Sequence, residues 1–165
     1  HEGHIAVFSE KGVGTKIDIY LPMIKGNVDD ISEADYQSNA IGGKESILVV
    51  DDEPDITRMM EKYLTLFGYT VRVFAHSPDA LEEFRANPDG YDLVITDMTM
   101  PELTGTELTR KIFEIDPKKP VILCTGHSDE IDRDRAAAMG MSAYFEKPLE
   151  IDELLVTLRD LFDAK

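Results

Sequence analysis

Asp92-Leu-Val-Ile-Thr-Asp97-Met-Thr-Met-Pro101 decides the architecture of this chain. Leu93 to Thr96 form an apolar, β-branched run of the kind that fills a strand buried on both faces. The run stops on Asp97, and Pro101 with Gly105 marks the loop beyond it. A carboxylate at the C-terminal tip of a central parallel strand stands where open α/β sheets bind ligands. Alone, such an aspartate reads as a loop or capping residue. A second acidic cluster changes that reading, because Ile47-Leu-Val-Val50-Asp51-Asp52-Glu53-Pro54 again ends an apolar run on carboxylates. Two further runs end at Thr125 and Lys147. An acid pair, an acid, a hydroxyl and a lysine, in that order on strand ends, form a specific constellation.

Outward from these ends, strands and helices alternate strictly from Ser46 onward. The first strand covers Ile47 to Val50, and Pro54 sits at a helix start, where its missing N–H costs nothing. Ile56, Met59, Met60, Tyr63, Leu64 and Phe67 follow at helical spacing, and Gly68 supplies the stop. Thr70 to Phe74 is the second strand, and Ser77-Pro78 opens a helix carrying Ala80, Leu81 and Phe84. After the strand leading to Asp97, a helix is expected from about Gly105 to Ile115. Val121 to Thr125 is the fourth strand, followed by a helix capped by Ser128, containing Ile131, Ala136, Ala137 and Met139 and closed by Gly140. Ala143 to Glu146 is the fifth strand, and the last helix buries Ile151, Leu154, Leu155, Leu158, Leu161 and Phe162. Such βα units with short loops predict a doubly wound parallel sheet with helices on both faces, all strand C-termini on one edge. Asp51, Asp52, Asp97, Thr125 and Lys147 then converge.

The 165 residues have room for one ordinary domain plus appendages, and 42% hydrophobic content supports a packed core. A formal net charge of −16 argues against nucleic acid or an anionic membrane as partner; its plain reading is a well-solvated surface and its sharper one a divalent cation partner. Cys124, the single cysteine, lies inside an apolar run and reads as a core residue in a reducing, cytoplasmic setting. No stretch approaches the length of a membrane span. The chain opens on His1 rather than Met, so it is expected to be a piece of something longer. Residues 4–9 and 15–21 alternate like half-buried strands around the turn Glu10-Lys-Gly-Val-Gly14, predicting a β-hairpin that ends at Pro22. An isolated hairpin is marginal in water, so this one should belong to a larger sheet. Residues 23–45 are polar, acidic and without sustained periodicity, the pattern of a flexible linker, with Gly42-Gly43 near its end.

Three carboxylates within several ångströms repel one another by roughly 2–4 kcal/mol per pair at an effective dielectric near 20, so a cation is expected among them. Hard oxygen ligands with open positions suit Mg²⁺, which keeps waters and recruits phosphate oxygens. Lys147 adds a fixed positive charge, and Pro148 restrains its backbone. Such a site serves phosphoryl transfer with Asp97 as nucleophile and Thr125 as a hydrogen-bond donor to the phosphoryl group.

Residues 46–165 resemble the receiver domain of two-component response regulators. Val49-Val50-Asp51-Asp52-Glu53-Pro54, Thr96-Asp97-Met98-Thr99-Met100-Pro101, Thr125-Gly126 and Glu146-Lys147-Pro148 carry the likeness. It implies a flavodoxin-like five-stranded sheet of order 2-1-3-4-5. It also implies that Asp97 accepts phosphoryl from a phosphohistidine, with Thr125 and Lys147 as its catalytic partners. Asp52, Asp97 and the Thr99 carbonyl would bind Mg²⁺ directly and Asp51 through water, while Met98 and Gly126 offer backbone N–H groups to the phosphoryl. The switch pair falls on Thr125 and Tyr144, altering the face of the fourth helix, fifth strand and fifth helix. Thr99 and His127 hold the positions that tune the lifetime of the acyl phosphate. Residues 1–22, through Ser9-Glu-Lys-Gly-Val-Gly-Thr15 and Ile17-Asp-Ile-Tyr-Leu-Pro22, resemble the last two strands of the ATP-binding domain of sensor histidine kinases. That domain's ATP-contacting motifs lie upstream of the likeness, so no ATP binding is expected.

Together these readings give the C-terminal receiver of a hybrid sensor histidine kinase: a truncated kinase hairpin (1–22), an acidic linker (23–45) and a receiver (46–165). A histidine-phosphorylated kinase or phosphotransfer domain is the expected partner, and a homodimer is left open. The first alternative is an interaction module that works without phosphorylation; the second is the receiver of a response regulator. A metal-dependent aspartyl phosphatase would want an acid two residues past the nucleophile, where Thr99 stands. A flavin-binding protein would want a hydroxyl- and glycine-rich loop after the first strand, where the chain is acidic.

Overall fold

The computed structural model describes residues 3–21, 42–126 and 133–164, and the chain divides into two compact units, His1–Asn39 and Ala40–Lys165. In the first unit, β1 (His4–Glu10) and β2 (Gly14–Tyr20) form an antiparallel hairpin closed by the expected turn. Ile5 faces Ile19 and Val7 faces Ile17 on one side of the ribbon. These four side chains are between 59 and 65% exposed, so within this unit the strands are open rather than half-buried. The alternation was legible, but a two-stranded ribbon has no second layer to cover its apolar face.

The second unit runs β3 (Ser46–Val50), α1 (Pro54–Leu66), β4 (Thr70–Phe74), α2 (Ser77–Ala86), a 3₁₀ turn (Pro88–Gly90), β5 (Leu93–Asp97), α3 (Gly105–Ile115), β6 (Val121–Thr125), α4 (Arg133–Ala138), β7 (Ala143–Glu146) and α5 (Ile151–Asp163). The five strands are all parallel, as the alternation of strands and helices predicted, and their order β4-β3-β5-β6-β7 is the one the family resemblance implied. Alternate residues of each central strand feed opposite layers. Ile47, Val49, Ile95 and Ile122 meet Met60 and Leu64 of α1 and Leu154 and Leu158 of α5. Leu48, Val50, Val94 and Val121 meet Leu81 and Phe84 of α2 and Leu108 and Ile112 of α3. Full burial of each such side chain stabilises the fold by about 1.5–3 kcal/mol.

Helix boundaries follow local chemistry. Gly68, at φ +93°, ends α1 with the Tyr69 N–H donating back to the Leu64 carbonyl at 3.1 Å. Thr104 opens α3 with a capping box: its hydroxyl accepts from the Glu107 N–H at 3.3 Å, and its own N–H donates to Glu107 Oε2 at 3.0 Å. Ser128 and Ile131, expected at the start of the fourth helix, lie outside the described residues, as do linker residues 23–41.

Candidate functional site

Parallel pairing places Asp97 beside Cys124 and Thr125 beside Glu146, so the Asp97 carboxylate and the Thr125 hydroxyl share the C-terminal edge of the sheet. Asp51 follows Val50, whose partner is Thr96, and reaches the same edge. Asp51 and Asp97 are 4% and 6% exposed, a degree of burial that two carboxylates sustain only with a positive partner. Lys147 is that partner. Its Nζ stands 2.8 Å from Asp51 Oδ2 and 2.7 Å from Asp97 Oδ1, with Glu53 Oε1 at 3.7 Å. Burial alone would lower the Lys147 pKa. The hydrogen bonds to Asp51 and Asp97 outweigh it and raise the value above the ordinary 10.5, so the ammonium stays charged at neutral pH. The Lys147–Pro148 peptide is cis, and the Lys147 N–H donates to the Thr125 carbonyl at 2.7 Å.

Behind the acid pair lies a mostly apolar cavity of about 200 Å³ walled by Val49, Ile56, Met59, Met60, Cys124 and Leu149, which keeps the local dielectric low. Burial pushes the Cys124 thiol up to about 12, which excludes it as a nucleophile at neutral pH.

The remaining expected site residues divide. Asp52 is half-buried and takes part in none of these contacts, and among the described residues no three His, Cys, Asp or Glu side chains are arranged to hold a metal. The Asp51–Asp97 pair nevertheless converges on one cationic atom, so its donor set fits a shared cation of hard-oxygen preference. Thr125 is fully buried; its hydroxyl donates to the Gly126 carbonyl at 2.7 Å and lies 3.7 Å from Met98 Sδ. Tyr144 packs beside Met98, Leu123, Ala136 and Met141. His127 lies outside the described residues.

Met98 requires a correction. Its N–H was expected to face the phosphoryl group, but it donates to the Cys124 carbonyl at 2.8 Å, extending the β5–β6 ladder by one bond. The amide facing the Asp97 carboxylate is that of Thr99, 2.7 Å from Asp97 Oδ2. An aspartate that accepts from the amide two residues on is a common turn, and Asp97-Met-Thr99 carries that signal in the sequence.

The loop after Asp97 is tied down from the side. Ser77 Oγ lies 3.1 Å from the Pro101 carbonyl and 3.0 Å from that of Leu103, both acceptors for its one hydrogen. The His76 ring bridges Asp79 at 3.1 Å and Glu102 at 2.9 Å, and Glu102 itself sits at φ +66°. The hydrogen bond to Glu102, then that to Asp79, raises the His76 pKa above 6.5. The charged tie is therefore fully present below that ordinary value and is lost as pH rises through the raised one. An NMR titration of Glu102→Gln is expected to give a lower His76 midpoint than wild type; an unchanged midpoint would exclude the tie.

Residues 47–159 match the model of the response regulator receiver domain. Among curated proteins, the Sensor protein EvgS of Escherichia coli strain K12 is 32% identical over 161 residues, 97% of this chain and 13% of EvgS. The TorCAD operon transcriptional regulatory protein TorR of the same strain is 40% identical over 115 residues, 70% of this chain and 49% of TorR. The chain thus spans less than two thirds of either relative. A solved response regulator receiver domain protein from Clostridium thermocellum superposes with a TM-score of 0.69 at 33% identity, covering 73% of this chain and 95% of that one. The receiver domain of the Francisella response regulator 1452 superposes with a TM-score of 0.66 at 26% identity, covering 73% of this chain and 98% of that one.

Proposed function

This chain belongs to the response regulator receiver domain family of two-component phosphorelays, and on that premise we propose that Asp97 is its phosphoryl acceptor. The observation that carries this is the single ammonium of Lys147 held between the buried carboxylates of Asp51 and Asp97. Receiver domains take phosphoryl from histidine kinases or phosphotransfer partners. One Asp97 carboxylate oxygen attacks phosphorus; the new P–O bond forms as the P–N bond of the phosphohistidine breaks, and the leaving electron pair returns to the imidazole nitrogen. Lys147 offsets the charge that spreads over the phosphoryl oxygens. The Thr99 and Gly126 N–H groups donate to those oxygens, and the Thr125 hydroxyl turns from the Gly126 carbonyl to join them. That rotation vacates the space beside Met98 into which Tyr144 moves, altering the α4–β7–α5 face as a population shift between two states.

Receiver domains use Mg²⁺, and in this chain Asp51, Asp52, Asp97 and the Thr99 carbonyl would hold it. When bound, it neutralises the carboxylates and polarises the phosphoryl group. Phosphoryl incorporation from a small phosphodonor is expected with Mg²⁺ and lost on chelation; undiminished incorporation without divalent cation would remove the metal from this account. His127 acts on the lifetime of the acyl phosphate, and equal dephosphorylation rates in His127→Ala and wild type would remove it from that role.

Residues 1–22 are the tail of a kinase ATP-binding domain and residues 23–45 the linker to the receiver. The 161-residue match to EvgS reaches beyond the receiver and supports a hybrid sensor kinase as parent. The match to TorR, confined to 115 residues at 40% identity, supports a response regulator as the second reading. No helix among the described residues is long and apolar enough to cross a membrane.

A further inference from the structure

The sheet edge opposite Asp97 carries a second polar cluster, built where the chain enters the domain. Arg159, in the second half of α5, donates from Nη1 to the Gly42 carbonyl at 3.1 Å and from Nη2 to Glu45 Oε1 at 2.7 Å. Its guanidinium lies against the rings of Tyr69 and Phe162, 5.9 and 5.2 Å from their centroids. The Gly43 N–H donates to the Phe67 carbonyl at 3.1 Å, and the Thr70 N–H to the Glu45 carbonyl at 3.0 Å. Residues 42–45 are therefore bonded to α5 on one side and to the end of α1 and the start of β4 on the other.

The glycines here serve close approach rather than slack. A Cβ on Gly42 would stand 2.3 Å from the Phe67 carbonyl oxygen. One on Gly43 would stand 2.6 Å from a Tyr69 ring carbon and 2.7 Å from Arg159 Nη1. Only a bare backbone passes between the two helix ends. The cluster is also incompletely satisfied: the Tyr69 hydroxyl and Arg159 Nε are buried with no partner among the described residues. A polar network left in that state opens more readily than the apolar core beside it.

We propose that Arg159, Glu45 and Gly42-Gly43 form a latch through which α5 grips the incoming chain, and that phosphorylation of Asp97 loosens this grip. The inference rests on the reading that phosphorylation repositions the α4–β7–α5 face. Leu154, Leu155 and Leu158 seat α5 in the core, so the helix shifts as a body, and a displacement of about an ångström breaks a short guanidinium–carboxylate bond at its far end. The sheet edge that holds the acceptor and the edge that receives the linker are then coupled in cis, through one side chain.

Hydrogen exchange on the full chain, with and without a small phosphodonor and Mg²⁺, tests this once intact mass has established phosphoryl uptake. In wild type, the Gly43 and Thr70 amides should exchange at least about threefold faster after phosphorylation, alongside a change in β7 and α5. In Arg159→Ala and in the near-isosteric Glu45→Gln, both amides should exchange about tenfold faster than in unphosphorylated wild type and no longer respond to phosphorylation. Asp97 uptake should be unchanged in both variants. A response in β7 and α5 without one at Gly43 and Thr70 would overturn the latch and leave the proposed function standing. Wild-type exchange rates in the variants would overturn it equally. A phosphorylated protein silent at all these places would overturn the latch and the repositioning of the α4–β7–α5 face on which it rests, and leave Asp97 standing as the acceptor.

Discussion

Lys147→Met is expected to lower stability in metal-free buffer by about 1–3 kcal/mol and to slow phosphoryl acceptance at least about a hundredfold. Asp51 Oδ2 and Asp97 Oδ1 each lie within 2.8 Å of one Nζ, so they stand no farther apart than the sum of their two distances to it. Without the ammonium, two carboxylates at that separation repel by about 3 kcal/mol at an effective dielectric near 20. The Lys147 side chain is 22% exposed, so solvent screens part of this and the lower half of the range is favoured. Because the lysine pKa is raised above 10.5, its contribution is complete below that value and fades only as pH rises beyond it. The difference in denaturant midpoint between variant and wild type should therefore be flat from pH 6 to 9. Added Mg²⁺ should restore more stability to the variant than to wild type, since a cation then has two uncompensated acids to meet. A variant as stable as wild type and phosphorylated at the same rate would contradict the role given to Lys147.

Gly105→Ala is expected to destabilise the protein by about 2–3 kcal/mol, although the same change in the first turn of an ordinary helix stabilises by a few tenths to 1 kcal/mol. The new Cβ would lie 2.1 Å from the Asp97 carbonyl oxygen and 3.0 Å from its carbonyl carbon. Leu123 Cδ1, also 3.0 Å away, has room to rotate, but the backbone of a central strand does not. The Gly105 N–H donates to the Met98 carbonyl at 2.9 Å, so the same contact fixes the loop that carries Thr99. Phosphoryl acceptance should fall with stability, because the acceptor strand must shift to admit the methyl group. Gly126→Ala is the control: among the described residues no atom beyond its chain neighbours lies within 4 Å of its Cβ position, and its unfolding free energy should stay within about 0.5 kcal/mol of wild type. Equal midpoints for Gly105→Ala and wild type would contradict the close approach.

Much of the fold was legible because buried parallel strands are near-continuous apolar runs, and Leu93 to Thr96 or Val121 to Cys124 leave little else to consider. The strand ends then brought Asp51, Asp97, Thr125 and Lys147 to one edge by topology alone. What sequence did not reveal lay in backbone parity and in packing. Whether Met98 or Thr99 turns its amide to the acceptor depends on where the β5–β6 ladder stops, one residue further than the strand pattern implied. Gly42-Gly43 carries the composition of a flexible linker, yet Arg159, more than a hundred residues away, holds it against the domain. The Ile5, Val7, Ile17 and Ile19 face was visible as alternation, while its exposure reflects that no second layer covers it among the described residues of this unit. Thr104-Gly-Thr-Glu107 is a readable capping-box pattern, and it fixes the start of α3 one residue after Thr104.

The most direct test is the intact mass of the whole chain after incubation with a small phosphodonor and Mg²⁺, beside Asp97→Asn. The account predicts one added phosphoryl group on wild type and none on the variant. An adduct that persists in Asp97→Asn, or a folded wild-type protein that takes up none, would contradict Asp97 as the acceptor.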